Sequence, residues 1–247
     1  MSERAKSSRS NFQQMFVLRA VPYLEYGQLI DLFSRDSGFV TAVSGSSRRP
    51  NSPVKGCLQP FNLISGVLGG RGELQSISKV EILTNYRLGA EETICGQYLN
   101  ELLFYLMEKH VPHQDIFDNY CHCLRFLCGY GASAVAPLLR VFELTILSET
   151  GYGVNFEVDC MGNRIASDGR YVFDPAAGFV LADETAGVRT YRGVDLVRLA
   201  EGHFDDPAVL GAAKRICRQA IDCRLGGRQL RSRELFVKFR NLYKKAS

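Results

Sequence analysis

Two hydrophobic periodicities divide the chain, and the change from one to the other falls near residue 87. From Phe12 to Arg87, short β-prone runs recur: Gln14 to Val21, Gln28 to Phe33, Phe39 to Ser44, Cys57 to Leu68 and Leu74 to Leu83. Gly27, Ser37-Gly38, Arg49-Pro50-Asn51-Ser52-Pro53 and Gly69-Gly70-Arg71-Gly72 punctuate them with the chemistry of tight turns. Five strands in so short a stretch predict a small closed barrel of OB-fold type, an architecture whose surface can bind single strands.

From Leu88 the apolar spacing lengthens to three and four, predicting helices at about Ile94 to His110, His113 to Cys128 and Ala134 to Thr150. The third is apolar around much of its circumference, as the central helix of a bundle would be. Arg140 is its only positive charge. It either pairs with Glu143 or a neighbour, or stands exposed at the rim of an apolar groove. Gly151 to Arg192 is Gly-rich and β-leaning at Gly153 to Phe156, Tyr171 to Pro175 and Gly178 to Leu181, and a short helix is expected around Asp195 to Ala200. Asp206-Pro207 then reads as a helix start and Gly226-Gly227 as its stop. Val209, Ala213, Ile216, Cys217 and Ala220 share one side of that helix, with Lys214, Arg215 and Arg218 on another. A second basic helix follows, with Ser232 as a possible N-cap. The expected fold class is α+β: a disordered basic arm over 1–11, an OB-fold β-barrel over 12–87, and a helical domain over 88–247 with a small β-rich insertion at 151–192.

Charge sharpens this outline. Pro207 to Ser247 holds eleven lysines and arginines against two acids, although the whole protein carries a net charge of only +4. Residues 88–150 reverse the sign, with three cations against eight acids, and residues 1–87 are again basic, eleven against six. Arg48, Arg49 and Lys55 share one predicted loop, and Arg71 sits on the glycine hairpin. Concentrated positive charge repels itself unless a polyanion or an acidic partner meets it, which points to phosphate binding. With no Trp in the chain, base stacking falls to Phe or Tyr, and Tyr23, Phe39 and Phe61 are candidates. The competing class is an adaptor whose basic C-terminus docks an acidic protein and never meets DNA.

Other classes recede. No apolar run reaches the roughly 18 residues of a membrane span, and the first residues lack a signal peptide's apolar core, so a cytoplasmic location is expected. The eight cysteines read as mostly buried, reduced thiols. His110 with His113, and Cys121-His122-Cys123, lack the spacing that would bring ligands to one helix face, so no metal is expected. The glycine hairpin lacks the Lys-Ser/Thr of a P-loop, and no catalytic motif is present, so neither cofactor nor enzymatic activity is expected.

The ordered motifs resemble the RecO family of recombination mediator and DNA repair proteins, in its proteobacterial branch. The stretches that carry the likeness are Lys55 to Phe61, Gly70 to Leu74, Tyr98 to Leu103, Arg140 to Leu144 with Gly151-Tyr152-Gly153, Phe204 to Pro207, Ala213-Lys214-Arg215, and Leu225 to Leu235. The resemblance implies DNA binding and strand annealing. It also implies help in loading a RecA-type recombinase onto single strands coated by single-stranded DNA-binding protein (SSB). Implied partners are single- and double-stranded DNA, the acidic, Phe-ended tail of SSB, and RecR; the implied setting is the nucleoid. Candidate DNA-binding residues are Arg48, Arg49, Lys55, Arg71, Lys214, Arg215, Arg218, Arg228, Arg231 and Arg233. Arg140 resembles a pocket arginine for the SSB tail, with Leu139 and Phe142 beside it. The sequence departs from the family in lacking the four-cysteine zinc site many members carry near Gly151 to Leu181, and in having fewer cations from Ser44 to Arg49.

Overall fold

A computed structural model describes residues 12–70, 72–131, 134–182 and 189–246. The expected N-terminal arm and the hairpin residue Arg71 lie outside the described residues. The chain forms two compact units: one runs to Gly129 and takes up the chain again from Ser232, and the other is Tyr130–Arg231.

In the first unit β1 (Phe12–Tyr23), β2 (Gly27–Ser34), β3 (Gly38–Ser44), β4 (Asn62–Gly69) and β5 (Leu74–Asn85) close into a barrel in the order β1-β2-β3-β5-β4. The β3–β5 pairing is parallel and the others are antiparallel. The barrel expected from the strand pattern is therefore present. Met15, Val17, Ile30, Leu32, Ala42 and Ile64 fill its interior. The intervening Phe16 and Phe33 are also fully buried, because the helix α2 (Gln114–Tyr130) lies against them. Phe16 stacks edge-on to Tyr120 at 4.7 Å between ring centroids and tilts against Phe117 at 5.0 Å. Burial on both faces explains why β1 reads as a continuous apolar run rather than an alternation.

The fourth strand begins later than expected. Residues 54–61 are turns rather than strand, and Phe61 closes them with a φ of 67°. The Asn62 side-chain amide donates to the carbonyls of Gly56 and Cys57 at 3.3 and 2.8 Å, fixing that turn. Helix α1 (Ala90–Leu106) packs closely over it: a Cβ on Gly96 would stand 2.6 Å from the Phe61 ring.

Two adjacent polar residues on α1 join the elements of this unit. Asn100 donates from its amide to the Leu18 carbonyl on β1 at 2.8 Å, and its carbonyl accepts from the Tyr120 hydroxyl on α2 at 2.5 Å. Glu101 accepts from the backbone N–H and the hydroxyl of Ser232 at 3.0 and 2.5 Å. Ser232 lies in the first turn of α6 (Arg231–Ala246), which starts one residue before it. The expected Ser232 cap is thus corrected: Ser232 donates, and Glu101 supplies the carboxylate that the positive end of a helix favours.

In the second unit α3 (Ala136–Glu149) packs on α5 (Pro207–Leu225), and α4 (Gly193–Ala200) also packs on α5. A small sheet of β6 (Arg170–Asp174), β7 (Gly178–Leu181) and β8 (Tyr191–Arg192) has the order β7-β6-β8. The stretch Gly153 to Phe156, expected to be β, forms no strand. At the start of α5 the Asp206 carboxylate accepts from the Ala208 N–H at 2.7 Å, and such backbone bonds hold its pKa below the ordinary value. Gly226, at φ 57°, ends the helix as expected.

The α3 arginine resolves in favour of the pair. Arg140 and Glu143 are 7% and 1% exposed and bond at 2.5 Å, so Arg140 is not a rim residue. Cys217 of α5 shares this interior; burial and then the charge of Glu143 push its thiol pKa well above the usual range. None of the eight cysteines forms a disulfide, but only Cys95, Cys121, Cys123 and Cys217 are buried; Cys128, Cys160 and Cys223 are exposed.

Two stability measurements follow from these contacts. Asn100→Ala strips partners from the Leu18 carbonyl and the Tyr120 hydroxyl, and should lower the free energy of urea unfolding by about 2–4 kcal/mol, with Tyr120→Phe costing less. Arg140→Met removes the cation paired with the buried Glu143 carboxylate and should cost about 3–5 kcal/mol. Combining it with Glu143→Leu should recover most of that loss, whereas equal destabilisation by the single and double variants would show that the pair's charge is immaterial.

Candidate nucleic-acid interface

The loop between β3 and β4 exposes Arg48, Arg49 and Lys55 to solvent. It is stitched to the β1–β2 turn, since the Arg48 backbone N–H donates to the Tyr26 carbonyl at 2.9 Å. The Arg49 guanidinium lies over the Tyr26 ring, 5.4 Å from its centroid. Of the three aromatic residues expected to stack bases, only Tyr23 is exposed, at 37%. Phe39 and Phe61 are corrected: both are buried, Phe39 packing edge-on to Phe104 and Phe61 beneath Gly96. Tyr26, 40% exposed, was not foreseen. Its position beside the turn glycine Gly27, outside any apolar alternation, was the available signal.

On α5 the expected sidedness holds. Val209, Ala213, Ile216 and Cys217 are fully buried and Ala220 nearly so, while Lys214, Arg215 and Arg218 are exposed. Arg218 approaches Asp222 at 3.6 Å, an exposed pair worth little net stability. Arg215 lies 5.7 Å from the Tyr191 ring centroid, and Arg224 stacks on Tyr152 at 3.5 Å. Arg224 and Tyr152 were also unforeseen, because the chain brings them together from different elements. Arg228 is exposed beyond the end of α5, and Arg231 is exposed at the first position of α6. Arg233 is half-buried over the Tyr98 ring, 5.8 Å from its centroid. The candidate cations do not form one cluster in sequence order. Arg48, Arg49, Lys55 and Arg233 belong to the barrel's unit, and Lys214, Arg215, Arg218, Arg228 and Arg231 to the other.

The three residues expected to hold an acidic tail all lie on α3. Phe142 is fully buried, Arg140 is paired with Glu143, and Leu139 is half-buried. An open cavity of about 470 Å³ lies in the same unit, lined in roughly equal measure by apolar side chains, Leu144, Val154, Phe156 and Leu199, and by polar ones, Ser148, Asn155 and Glu157. Glu157 makes it unattractive to an anion. Among the described residues, no group of three or more His, Cys, Asp or Glu is placed to hold a metal ion, and no helix is long and apolar enough to cross a membrane.

Comparison with known proteins agrees with this architecture at both ends. The model described as recombination protein O N terminal matches residues 11–86, and the one described as recombination protein O C terminal matches residues 89–234. The DNA repair protein RecO of Tolumonas auensis is 38% identical over 231 residues, covering 91% of this chain and 94% of that protein. Those of Shigella flexneri and Pectobacterium atrosepticum are 36% and 37% identical over the same length, each covering 92% of this chain. Two family models span nearly all of the described architecture, and these relatives match over almost their whole length: the chain belongs to the RecO family of DNA repair proteins.

Proposed function

We propose that this chain is a DNA-binding recombination mediator that anneals complementary single strands and helps load a RecA-type recombinase onto SSB-coated DNA. The observation that carries the reading is the outer side of α5, where Lys214, Arg215 and Arg218 face solvent over a helix whose other side is fully buried. A helix anchored in this way presents its cations at fixed spacing, so phosphate contacts cost little ordering entropy. Arg48, Arg49 and Lys55 on the barrel supply a second set, and Arg228, Arg231 and Arg233 join the end of α5 to α6. Arg71 belongs with the barrel set by sequence.

Annealing follows from electrostatics. Two strands repel through their phosphates; a protein that neutralises both lowers that barrier and gains affinity by releasing counterions. No catalytic group is required. Partner docking completes the mediator reading: an acidic SSB tail would bring the protein to coated DNA, and RecR would act with it in the nucleoid. Arg140 can serve such a tail only if its pair with Glu143 opens.

Two outcomes test the reading. Binding to a single-stranded oligonucleotide should weaken steeply with salt, and Lys214→Glu with Arg218→Glu should lower affinity and flatten the logarithmic salt slope by about one unit for each phosphate no longer neutralised. Annealing of complementary strands should survive intact SSB and fail when SSB lacks its C-terminal tail. Binding to an acidic peptide with no binding to DNA at any salt would establish the adaptor instead.

A further inference from the structure

The tip of the β1–β2 hairpin exposes large apolar and aromatic side chains. β1 pairs with β4 only from Phe12 to Phe16, whereas its pairing with β2 continues to Tyr23↔Gly27, so the end of the hairpin projects beyond the doubly paired part of β1. On this projection Val21, Tyr23 and Tyr26 are 36%, 37% and 40% exposed, and Leu24 is 81% exposed. Leu24 also has a φ of 53°, a left-handed conformation that Gly or Asn would adopt with less strain. Neither burial nor turn geometry accounts for a leucine flanked by tyrosines there. A turn needs small or polar residues, and Leu24 is left almost wholly in solvent.

Beside the aromatic rings stand the cations. The Arg48–Tyr26 backbone bond holds the β3–β4 loop against the tip, and the Arg49 guanidinium covers part of the Tyr26 ring at 5.4 Å. Gly27 permits this approach: a Cβ there would stand 2.7 Å from the Tyr23 carbonyl and 3.1 Å from that of Ser44. A ring with one cation over it and a second cation bonded through its own backbone to the same residue combines the two things a nucleotide needs. The ring offers a face to a base, and the guanidinium groups offer donors to its phosphate. Glu25 is the one acid on the tip, so a strand would run along the arginine side.

We propose that this tip is a stacking site for unpaired bases, with Tyr26 as the platform, Tyr23 and Leu24 beside it, and Arg48 and Arg49 holding the adjoining phosphates. The proposal rests on the DNA-binding reading above and adds to it a preference: bases in a duplex keep their faces against one another and cannot use Tyr26, so the tip distinguishes single strands from double. It leaves α5 indifferent to strandedness, because phosphates alone are met there.

The test separates the two readings. Full-length protein is titrated with an oligothymidylate and with a duplex of equal length at several salt concentrations. Tyr26→Ala should weaken oligothymidylate binding by about 5- to 100-fold, with the salt slope and the duplex affinity unchanged. Tyr26→Phe should retain the affinity, since the ring and not the hydroxyl is required. Arg48→Ala with Arg49→Ala should instead flatten the salt slope for both ligands. An oligonucleotide carrying 5-iodouracil should photocrosslink to Tyr26 or Tyr23. Equal loss for single strand and duplex in Tyr26→Ala, unchanged affinity for both, or crosslinks confined to other regions would each overturn the stacking site while leaving DNA binding intact. Failure of the unaltered protein to bind either ligand would remove the DNA-binding reading itself. Because Tyr26 is exposed, its replacement should leave the thermal midpoint in place, and a large fall in that midpoint would point to a structural role instead.

Discussion

The side chain of Asn100 is the constraint on which the barrel's unit depends. A buried amide must satisfy both its donor and its acceptor, and Asn100 does so with β1 on one side and α2 on the other. The Leu18 carbonyl it binds lies in a strand buried on both faces, where water cannot serve as a substitute. The next residue, Glu101, fixes the start of α6 in the same way, and Tyr98 on the same helix carries the ring beneath Arg233. One short segment of α1 therefore sets the position of a strand, a helix and a basic C-terminal element. Apolar packing alone would tolerate sliding among these surfaces; directional bonds to a buried amide would not.

That arrangement also sorts the charge. The cations of the β3–β4 loop and of α6 belong to one compact unit, and those of α5 to the other, although α5 and α6 are separated in sequence by only a glycine turn. At physiological salt an exposed charge acts over roughly 8 Å, so within each unit the spacing of its own side chains decides which charges act together.

How much of this could be read from the sequence depended on whether a residue's role was local. The barrel strands, the apolar side of α5, its acidic start and its glycine stop all follow from neighbours within a few positions, and they were legible. Boundaries failed where tertiary contact overrode pattern. Phe61 reads as strand but sits in a turn because α1 approaches at Gly96, and Ser232 reads as a cap but donates to a carboxylate 131 residues away. Residue type alone cannot tell Phe39, packed against Phe104, from Tyr26, 40% exposed. The choice at Arg140 likewise turned on burial. Both alternatives were visible, and only the interior shared with Glu143 and Cys217 decides between them.

Arginine dominates the candidate surface over lysine, and the tyrosines beneath it suggest a reason. Arg49 lies on Tyr26, Arg215 on Tyr191, Arg224 on Tyr152 and Arg233 on Tyr98. A guanidinium uses its flat face to stack, while its N–H donors lie in the plane of the group and point outward. Where the contact is close, as for Arg224 on Tyr152 at 3.5 Å, the ring holds the cation, and the rotamer freedom a phosphate would otherwise have to remove is partly gone beforehand. An ion pair to a carboxylate would order the side chain too, but it would cancel the charge and occupy the same donors. Stacking on tyrosine positions a cation for a polyanion without cancelling its charge.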